Sequence, residues 1–244
     1  MKNQYVGDIG DYGKYGLLRE FIKDGIFVGV NWYLTIKDMS HDGKFTDYLK
    51  KKPELRDYDE ELFDVLKGIA PRSNKTVHDI EKSGILPGVV FYSEYLRQPK
   101  KADAREEKRN LWFEESMKVL KGTQLVFLDP DNGILKTDAA SKKGADKYVL
   151  PREVEKYFDS GKNVVYYCHK GRRTADKWEK YKELMFERIP EAKPLILTYH
   201  KGTQRSYVFL VHKEDYARYM RIIDGFLRKW DKSMFEEDFL KIKA

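Results

Sequence analysis

Short apolar segments alternate with amphipathic segments in the second half of the chain, and this alternation is the strongest constraint on the fold. The apolar segments, each the length of a strand, are 124–128, 163–168, 194–199 and 207–212. The segments with apolar residues at helical spacing are 105–120, 151–159, 174–189 and 214–230. Strands that alternate with helices form βαβ units, which build a mainly parallel sheet. The sequence therefore predicts an α/β fold with a Rossmann-like sheet and helices on both faces.

The first half follows the same pattern with less regularity. The predicted elements there are a helix at 11–23, a strand at 27–35 and a helix at 60–69. Residues 87–96 fit either a short strand or the start of a helix. A polar turn joins the two final strands, which predicts one antiparallel edge strand. No low-complexity linker divides the chain, so a single domain over residues 1–244 is expected.

Composition limits the environment of the protein. Of 244 residues 41% are hydrophobic, but no apolar run approaches the roughly 20 residues that span a bilayer. The first residues lack an apolar signal core, and Cys168 is the single cysteine. We therefore expect a cytoplasmic protein without membrane association. The formal charge of +7 is typical of nucleic-acid binding and equally of solubility alone, so charge leaves both explanations open.

Polar side chains stand at the ends of four predicted strands, which is where ligands bind in open α/β sheets. Asp38 and Asp42 follow the first strand. The later strands are followed by Asp129, Asp131 and Asn132, then by His169, Lys170, Arg172 and Arg173, and finally by His200, Lys201 and Arg205. We expect these side chains in one layer, where the basic ones suit phosphate groups.

Asp129 and Asp131 follow an apolar strand and are separated by Pro130. A plain type I turn is one explanation of this segment. Residues two apart in an extended chain face the same side, so the two carboxylates are also placed to share an ion. Oxygen ligands of this kind suit Mg²⁺ or Mn²⁺. The predicted metal ligands are Asp129 and Asp131, together with Asp38 and Asp42.

The tripeptide His-Lys-Gly occurs at 169–171 and again at 200–202, each time after a predicted strand. Chance repetition is one explanation in a lysine-rich chain. The functional explanation is that His169 transfers a proton near neutral pH while Lys170 neutralises phosphate. His200 and Lys201 are then expected to bind substrate.

A glycine-rich segment at 5–14 leads into the first predicted helix. Backbone amides at a helix start bind anions, and Lys14, one turn into the helix, is placed to reach a phosphate. The structural alternative is that Asp11 caps the helix and Asp8 occupies a preceding turn. Asp8 and Asp11 are substrate-binding candidates, and Lys14 is a catalytic candidate.

The order of these elements resembles that of the large-subunit ribosomal RNA adenine-N6 methyltransferases. The similar features are the segment 5–18, the strand ending in VNWYLT, the Asp129-Pro130 turn and the closing strands and helix over 163–212. The resemblance implies a class I methyltransferase-like fold that binds S-adenosylmethionine and nucleic acid. Two features depart from it. The cofactor loop expected at 36–43 has one glycine, and Asp131 and Asn132 stand where the family has a proline and an aromatic residue.

These departures favour a metal site over a methyl-donor site. The leading hypothesis is a metal-dependent phosphodiesterase or nuclease on a methyltransferase-like scaffold. In it an ion on Asp129 and Asp131 activates water, and His169 transfers the proton. Lys170, Arg172 and Arg205 bind phosphate in this hypothesis, and Arg173 is a further substrate-binding candidate. The alternatives are an adenine methyltransferase and a non-catalytic binding module. DNA and RNA, and the oligomeric state, stay open.

Overall fold

The structure is a computed structural model that describes residues 1–36 and 45–238. Within these ranges the helices are α1 Ile9–Lys23, α2 Tyr48–Lys51, α3 Glu60–Ile69, α4 Val77–Lys82, α5 Ala102–Val119, α6 Pro151–Asp159, α7 Ala175–Arg188 and α8 Tyr216–Lys229. The strands are β1 Val28–Asn31, β2 Val90–Tyr92, β3 Leu125–Leu128, β4 Gly133–Ile134, β5 Tyr148–Val149, β6 Asn163–His169, β7 Lys193–Tyr199, β8 Arg205–Val211 and β9 Phe235–Glu237. The predicted metal ligands Asp38 and Asp42 lie outside the described residues.

Seven strands form one sheet in the order β2-β1-β3-β6-β8-β7-β9. Strands β2, β1, β3, β6 and β7 run in one direction, and β8 and β9 run in the other. The predicted α/β class with a mainly parallel, Rossmann-like sheet is confirmed. Strands β3 and β6 are parallel neighbours in the sheet interior, as their short, continuous apolar sequences predict.

The prediction of one antiparallel edge strand is wrong in its position. Strand β8 is antiparallel, but it lies inside the sheet between β6 and β7. The sheet edge on this side is β9, which pairs with β7 and is antiparallel to it. Every residue of β8 after Arg205 is buried, which suits an internal strand. The three residues of β9 are too few to show a strand period in the sequence.

The central strands separate two apolar layers. In β3, Leu125 and Phe127 join one layer, while Val126 and Leu128 join the other. This division follows from the alternation of side chains across a strand. Helices α1, α3 and α8 supply the first layer, and α5, α6 and α7 supply the second. The predicted helices on both faces are therefore present.

Strand β1 ends earlier than the sequence predicts, at Asn31 rather than residue 35. The side-chain Oδ1 of Asn31 accepts a hydrogen bond from the backbone N–H of Tyr33 at 3.1 Å. Tyr33 has a φ of 45°, in the left-handed region that side chains other than glycine rarely adopt. The chain therefore turns out of the sheet here, although Trp32, Tyr33 and Leu34 are as apolar as the strand itself.

Helix α1 packs on its neighbours through a face that carries glycine at three positions, each three residues after the last. A Cβ atom added at any of them would lie between 1.7 and 2.5 Å from a facing side chain. The facing pairs are Gly10 and Arg205, Gly13 and Tyr199, and Gly16 and Trp230. The hydroxyl of Tyr199 also donates to the backbone carbonyl of Ile9 at 2.7 Å. The helix backbone therefore approaches the sheet and the end of α8 more closely than side chains on this face would allow.

Among residues 1–36 and 45–238, none of the helices combines the length and the apolar character needed to cross a membrane.

Candidate functional site

A cleft of about 310 Å³ opens where α1 begins, at the edge of the sheet formed by the ends of β3 and β6 and the start of β8. The site residues predicted from the sequence that line it are Asp8, Asp11, Lys14, Asp129, Asp131, Asn132, His169 and Arg205. These side chains come from four separate parts of the chain. The fold therefore brings together the carboxylates, the imidazole and two of the basic groups at the carboxyl edge of the parallel strands, as in other open α/β sheets.

The pairing of β6 with β8 sets the arrangement on one side of the cleft. His169 lies directly opposite Arg205, and Tyr167 lies directly opposite Tyr207. Directly opposed residues on antiparallel strands have Cβ atoms about 5 Å apart. Because residues two apart on a strand face the same side, all four side chains are presented to the cleft.

Lys14 forms the centre of the opposite side. Its Nζ atom lies 2.7 Å from Asp11 Oδ1 and 2.7 Å from Asp129 Oδ2, and all three side chains are buried. Asp11 Oδ2 also accepts hydrogen bonds from the backbone N–H of Gly7 and the hydroxyl of Tyr15. One ammonium group thus bridges two buried carboxylates, one from α1 and one from the end of β3.

Burial and charge pairing act against each other in this group. Burial raises the pKa of Asp129 above its ordinary value, although Lys14 and the Met1 amino group act in the opposite direction. Burial likewise raises the pKa of Asp11, against the effect of Lys14, and the neighbouring Asp8 raises it further. For Lys14, the two carboxylates outweigh burial, which would lower its pKa, and the pKa is raised. The ammonium form is therefore the stable one, and the carboxylates hold protons more readily than free aspartates.

Asp131 is held in a different way. One carboxylate oxygen lies 2.8 Å from the α-amino group of Met1, and the other lies 3.2 Å from Lys2 Nζ. Thr35 Oγ1 donates to the same carboxylate at 3.2 Å. Burial alone would raise the pKa of Asp131, but the Met1 amino group and Lys2 outweigh it and lower the pKa. Asp131 therefore carries its negative charge and is neutralised by two amines.

Arg205 lies in the cleft without a carboxylate partner among the residues that the structure describes. Its Nε donates to the backbone carbonyl of Thr203 at 3.0 Å, and its guanidinium lies against the rings of Tyr167 and Tyr199. Burial would lower the pKa of Arg205, but the nearby tyrosines and Asp8 raise it. A permanently charged, partly desolvated guanidinium that forms no ion pair is suited to binding an anion.

Two hydroxyl groups accompany the arginine. The hydroxyl of Tyr207 is fully buried, and no hydrogen-bond partner for it is present in the described part of the chain. An unsatisfied buried hydroxyl is costly, and it marks a place where a bound molecule or water completes the hydrogen bonding. The hydroxyl of Tyr167 lies 3.2 Å from Nδ1 of His169, and burial raises the pKa of Tyr167 to about 12. Tyr167 therefore stays protonated and orients the imidazole.

The sequence assigns the other basic residues to the same site, but the structure places them elsewhere. None of Lys170, Arg172, Arg173, His200 or Lys201 is among the described residues that line the cleft. Arg173 turns back to donate to the carbonyl of His169, and its guanidinium lies over the ring of Tyr181. Lys170 donates to Gln204 at 2.9 Å, and Arg172 is exposed.

His200, the histidine of the second His-Lys-Gly tripeptide, lies 3.2 Å from Glu236 of the edge strand. The two tripeptides therefore have different surroundings. The first ends β6, an internal strand, at the cleft, whereas the second follows β7 next to the sheet edge.

Asp8 and Asn132 complete the predicted set. Asp8 caps α1, since its Oδ1 accepts a hydrogen bond from the backbone N–H of Asp11 at 2.9 Å. Capping of this helix is the structural alternative given above for the glycine-rich segment, but the capping residue is Asp8 and not Asp11. The backbone N–H of Asn132 donates to Lys147, and its side chain lines the cleft.

The described carboxylates do not fit a divalent metal ion in this arrangement. Asp11 and Asp129 share the ammonium of Lys14, and Asp131 is matched to the amines of Met1 and Lys2. Within residues 1–36 and 45–238, no three His, Cys, Asp or Glu side chains are grouped as a metal site requires. The Mg²⁺ or Mn²⁺ ion therefore stays a prediction from the sequence, with Asp38 and Asp42 as ligands outside the described residues.

Sequence reasoning missed the aromatic half of the site. The tyrosines at 167 and 207 line the cleft, as does Phe45, whose side chain is 55% exposed. The alternation of side chains along a strand could have identified both tyrosines, because each lies two residues from a predicted site residue on the same strand. For Phe45 the sequence carries no such signal.

Comparison with known proteins leaves the function to be argued from this geometry. No protein-family model matches the chain, and no curated protein matches it.

Proposed function

We propose that this protein is an enzyme that cleaves phosphodiester bonds in nucleic acid, with the cleft beside α1 as its active site. The observation that carries the proposal is the opposed pair His169 and Arg205 on β6 and β8. Both side chains line one cleft, and Arg205 forms no ion pair among the described residues. An arginine positions a phosphate, and a histidine next to it transfers protons.

Arg205 binds the phosphate oxygens in this proposal, and the buried hydroxyl of Tyr207 donates to one of them. Two donors that are already in place stabilise the charge that develops on the phosphoryl oxygens in the transition state. The resulting hydrogen bond also satisfies the Tyr207 hydroxyl, for which the described residues offer no partner.

His169 supplies the proton for the leaving group. As an imidazolium, His169 donates its Nδ1 proton to the hydroxyl oxygen of Tyr167 and presents its Nε2 proton to the leaving oxygen. Water adds to phosphorus, the bond to the leaving oxygen breaks, and that oxygen takes up the Nε2 proton. Asp129 lines the same cleft, and its raised pKa suits a carboxylate that accepts the proton of the attacking water. No step is assigned to a metal ion.

Nucleic acid is the proposed substrate because of the charge of the chain. The formal charge of +7 attracts a polyanion, whereas a small phosphodiester gains less from charge spread over the whole surface.

The test is cleavage of labelled single-stranded and double-stranded DNA and RNA by the wild type and by Arg205→Gln and His169→Gln. We expect both substitutions to reduce cleavage by about a hundredfold or more. Arg172→Gln is the matched control, because Arg172 follows the same strand as His169 but is exposed outside the cleft, and it should cleave at the wild-type rate. Binding without cleavage by the wild type would instead support the non-catalytic binding module.

Methyl transfer from S-adenosylmethionine to adenine is the second candidate. The observation in its favour is that Asp129-Pro130 and the start of α1 line the same cleft, since these two segments resemble the ribosomal RNA methyltransferases. It predicts a rise in melting temperature with S-adenosylmethionine and methyl incorporation into RNA or DNA. The phosphodiesterase proposal predicts neither result.

A further inference from the structure

Phe45 lines the cleft with an exposed ring. Its side chain is 55% exposed, although its backbone is fixed, because its carbonyl accepts a hydrogen bond from the N–H of Ile9 at 3.0 Å. The residue is therefore anchored at the first position of α1 while its ring faces solvent beside the cleft. A single exposed aromatic side chain is ordinary on a protein surface, but one that borders a polar cleft is placed to contact a ligand.

The cleft and the ring together match the chemistry of one nucleotide. Arg205 and the Tyr207 hydroxyl offer donors for a phosphate, and an exposed aromatic ring offers a stacking surface for a base. The volume of about 310 Å³ is at the lower end of the range of small-molecule pockets. Such a cleft accommodates one nucleotide unit but not a stacked base pair with both of its backbones.

We propose that the cleft takes a single unpaired nucleotide, with its phosphate on Arg205 and Tyr207 and its base stacked on Phe45, so that the substrate is single-stranded nucleic acid. This inference rests on the proposed function and specifies its substrate class. A base inside a duplex has both faces covered by its neighbours, and only an unpaired base has a face free for the phenyl ring. Stacking on one aromatic side chain tolerates any base, so the preference is for strandedness rather than sequence.

The experiment measures binding of a labelled, cleavage-resistant phosphorothioate strand of about twelve nucleotides, alone and annealed to its complement, by fluorescence anisotropy. We expect the wild type to bind the single strand at least tenfold more tightly than the duplex. Phe45→Ala should weaken single-strand binding about fivefold or more, while Phe45→Trp should retain it. Phe27→Ala is the matched control and should bind as the wild type does. Phe27 is 65% exposed, and it precedes β1 at the amino end of that strand, whereas the cleft lies at the carboxyl ends of the parallel strands.

The possible failures are distinguishable. If Phe45→Ala binds the single strand as tightly as the wild type while Arg205→Gln does not, the stacking inference is overturned and the phosphate site stands. Equal binding of single strand and duplex by the wild type overturns the inference as well. If the wild type binds and cleaves neither form, the proposed function itself fails. Competition by inorganic pyrophosphate reports the phosphate site alone, and Phe45→Ala should leave it unchanged.

Discussion

The ammonium nitrogen of Lys14 lies 2.7 Å from a carboxylate oxygen of Asp129, although 115 residues separate the two in the chain. This contact joins α1 to the end of β3 across the floor of the cleft. With Asp11 on the other side, it places one positive charge between two negative charges away from water. Breaking a buried pair is costlier than breaking an exposed one, because the remaining charge stays buried without a partner.

Replacement of Lys14 by methionine should therefore destabilise the protein strongly. We expect a loss of about 3–5 kcal/mol in the free energy of unfolding at neutral pH, measured by urea denaturation, because two buried carboxylates lose their counter-charge. Lys51→Met is the control, since Lys51 forms a comparable ion pair with Asp47 at 2.6 Å, but on the surface. A loss for Lys14→Met no larger than that of the control would contradict the buried bridge.

Asp131 should stabilise the protein at neutral pH and lose this effect in acid. Its pKa is lowered from 3.8 in the folded state, so the unfolded chain binds its proton first as the pH falls. The stabilisation is present above the unfolded pKa and is lost as the pH falls through the folded pKa. The difference in unfolding free energy between the wild type and Asp131→Asn should thus be largest near neutral pH and shrink below about pH 4. A difference independent of pH would contradict the ion pairs with Met1 and Lys2.

Asp129 should show the opposite dependence. Its folded pKa is raised above 3.8, so its contribution is fully present below the unfolded pKa and is lost as the pH rises through the folded pKa. The stability of Asp129→Asn relative to the wild type should therefore increase from about pH 4 upward. Unfolding curves recorded over the same pH series measure this. A relative stability that falls with pH would show that Lys14 outweighs burial.

Removing the hydroxyl of Tyr207 should separate stability from ligand binding. Because the described residues leave this buried group unsatisfied, Tyr207→Phe should keep or raise the free energy of unfolding, by up to about 1 kcal/mol. The same substitution should weaken pyrophosphate binding severalfold, measured by thermal shift. Tyr166→Phe provides the control, since its hydroxyl is also buried and unsatisfied among the described residues but does not line the cleft. An equal effect of both substitutions on binding would argue against a ligand at Tyr207.

Chelation tests the metal ion predicted from the sequence. Cleavage should persist in excess EDTA, because the described carboxylates are already matched to ammonium groups and the proposed steps use none of them as metal ligands. The metal-dependent mechanism would instead be established if EDTA abolished cleavage and if Mg²⁺ or Mn²⁺ restored it in the wild type but not in Asp38→Asn or Asp42→Asn.

Much of the fold is readable from the sequence because the interior strands are fully buried. Strands such as β3 and β6 give continuous apolar runs, and the helices between them show a clear period. The position of Asp129 and His169 at the same edge of the sheet follows from this pattern alone, since both stand at the carboxyl ends of parallel strands. The end of β1 is not readable, because the turn at Tyr33 depends on a side-chain hydrogen bond from Asn31 rather than on hydrophobicity.

The electrostatic pairing of the site is also beyond sequence reasoning. The pairing of Lys14 with Asp129 and of Lys2 with Asp131 depends on distances set by tertiary packing. Spacing in the sequence indicates which charges come near one another, but not which of them neutralise each other. The two aspartates therefore suggested a metal site from their spacing, while the structure gives each an amine partner.

The glycine face of α1 has a consequence for how relatives of this chain diverge. Positions 13 and 16 have no room for a side chain, because the rings of Tyr199 and Trp230 face them, whereas the atoms that face position 10 are the flexible end of Arg205. The pairs 13 with 199 and 16 with 230 should therefore covary, with a larger residue on the helix tolerated only where the facing residue has become smaller. A relative with a side chain at position 10 should instead keep an arginine at position 205 only by moving its guanidinium away from the place that it takes here.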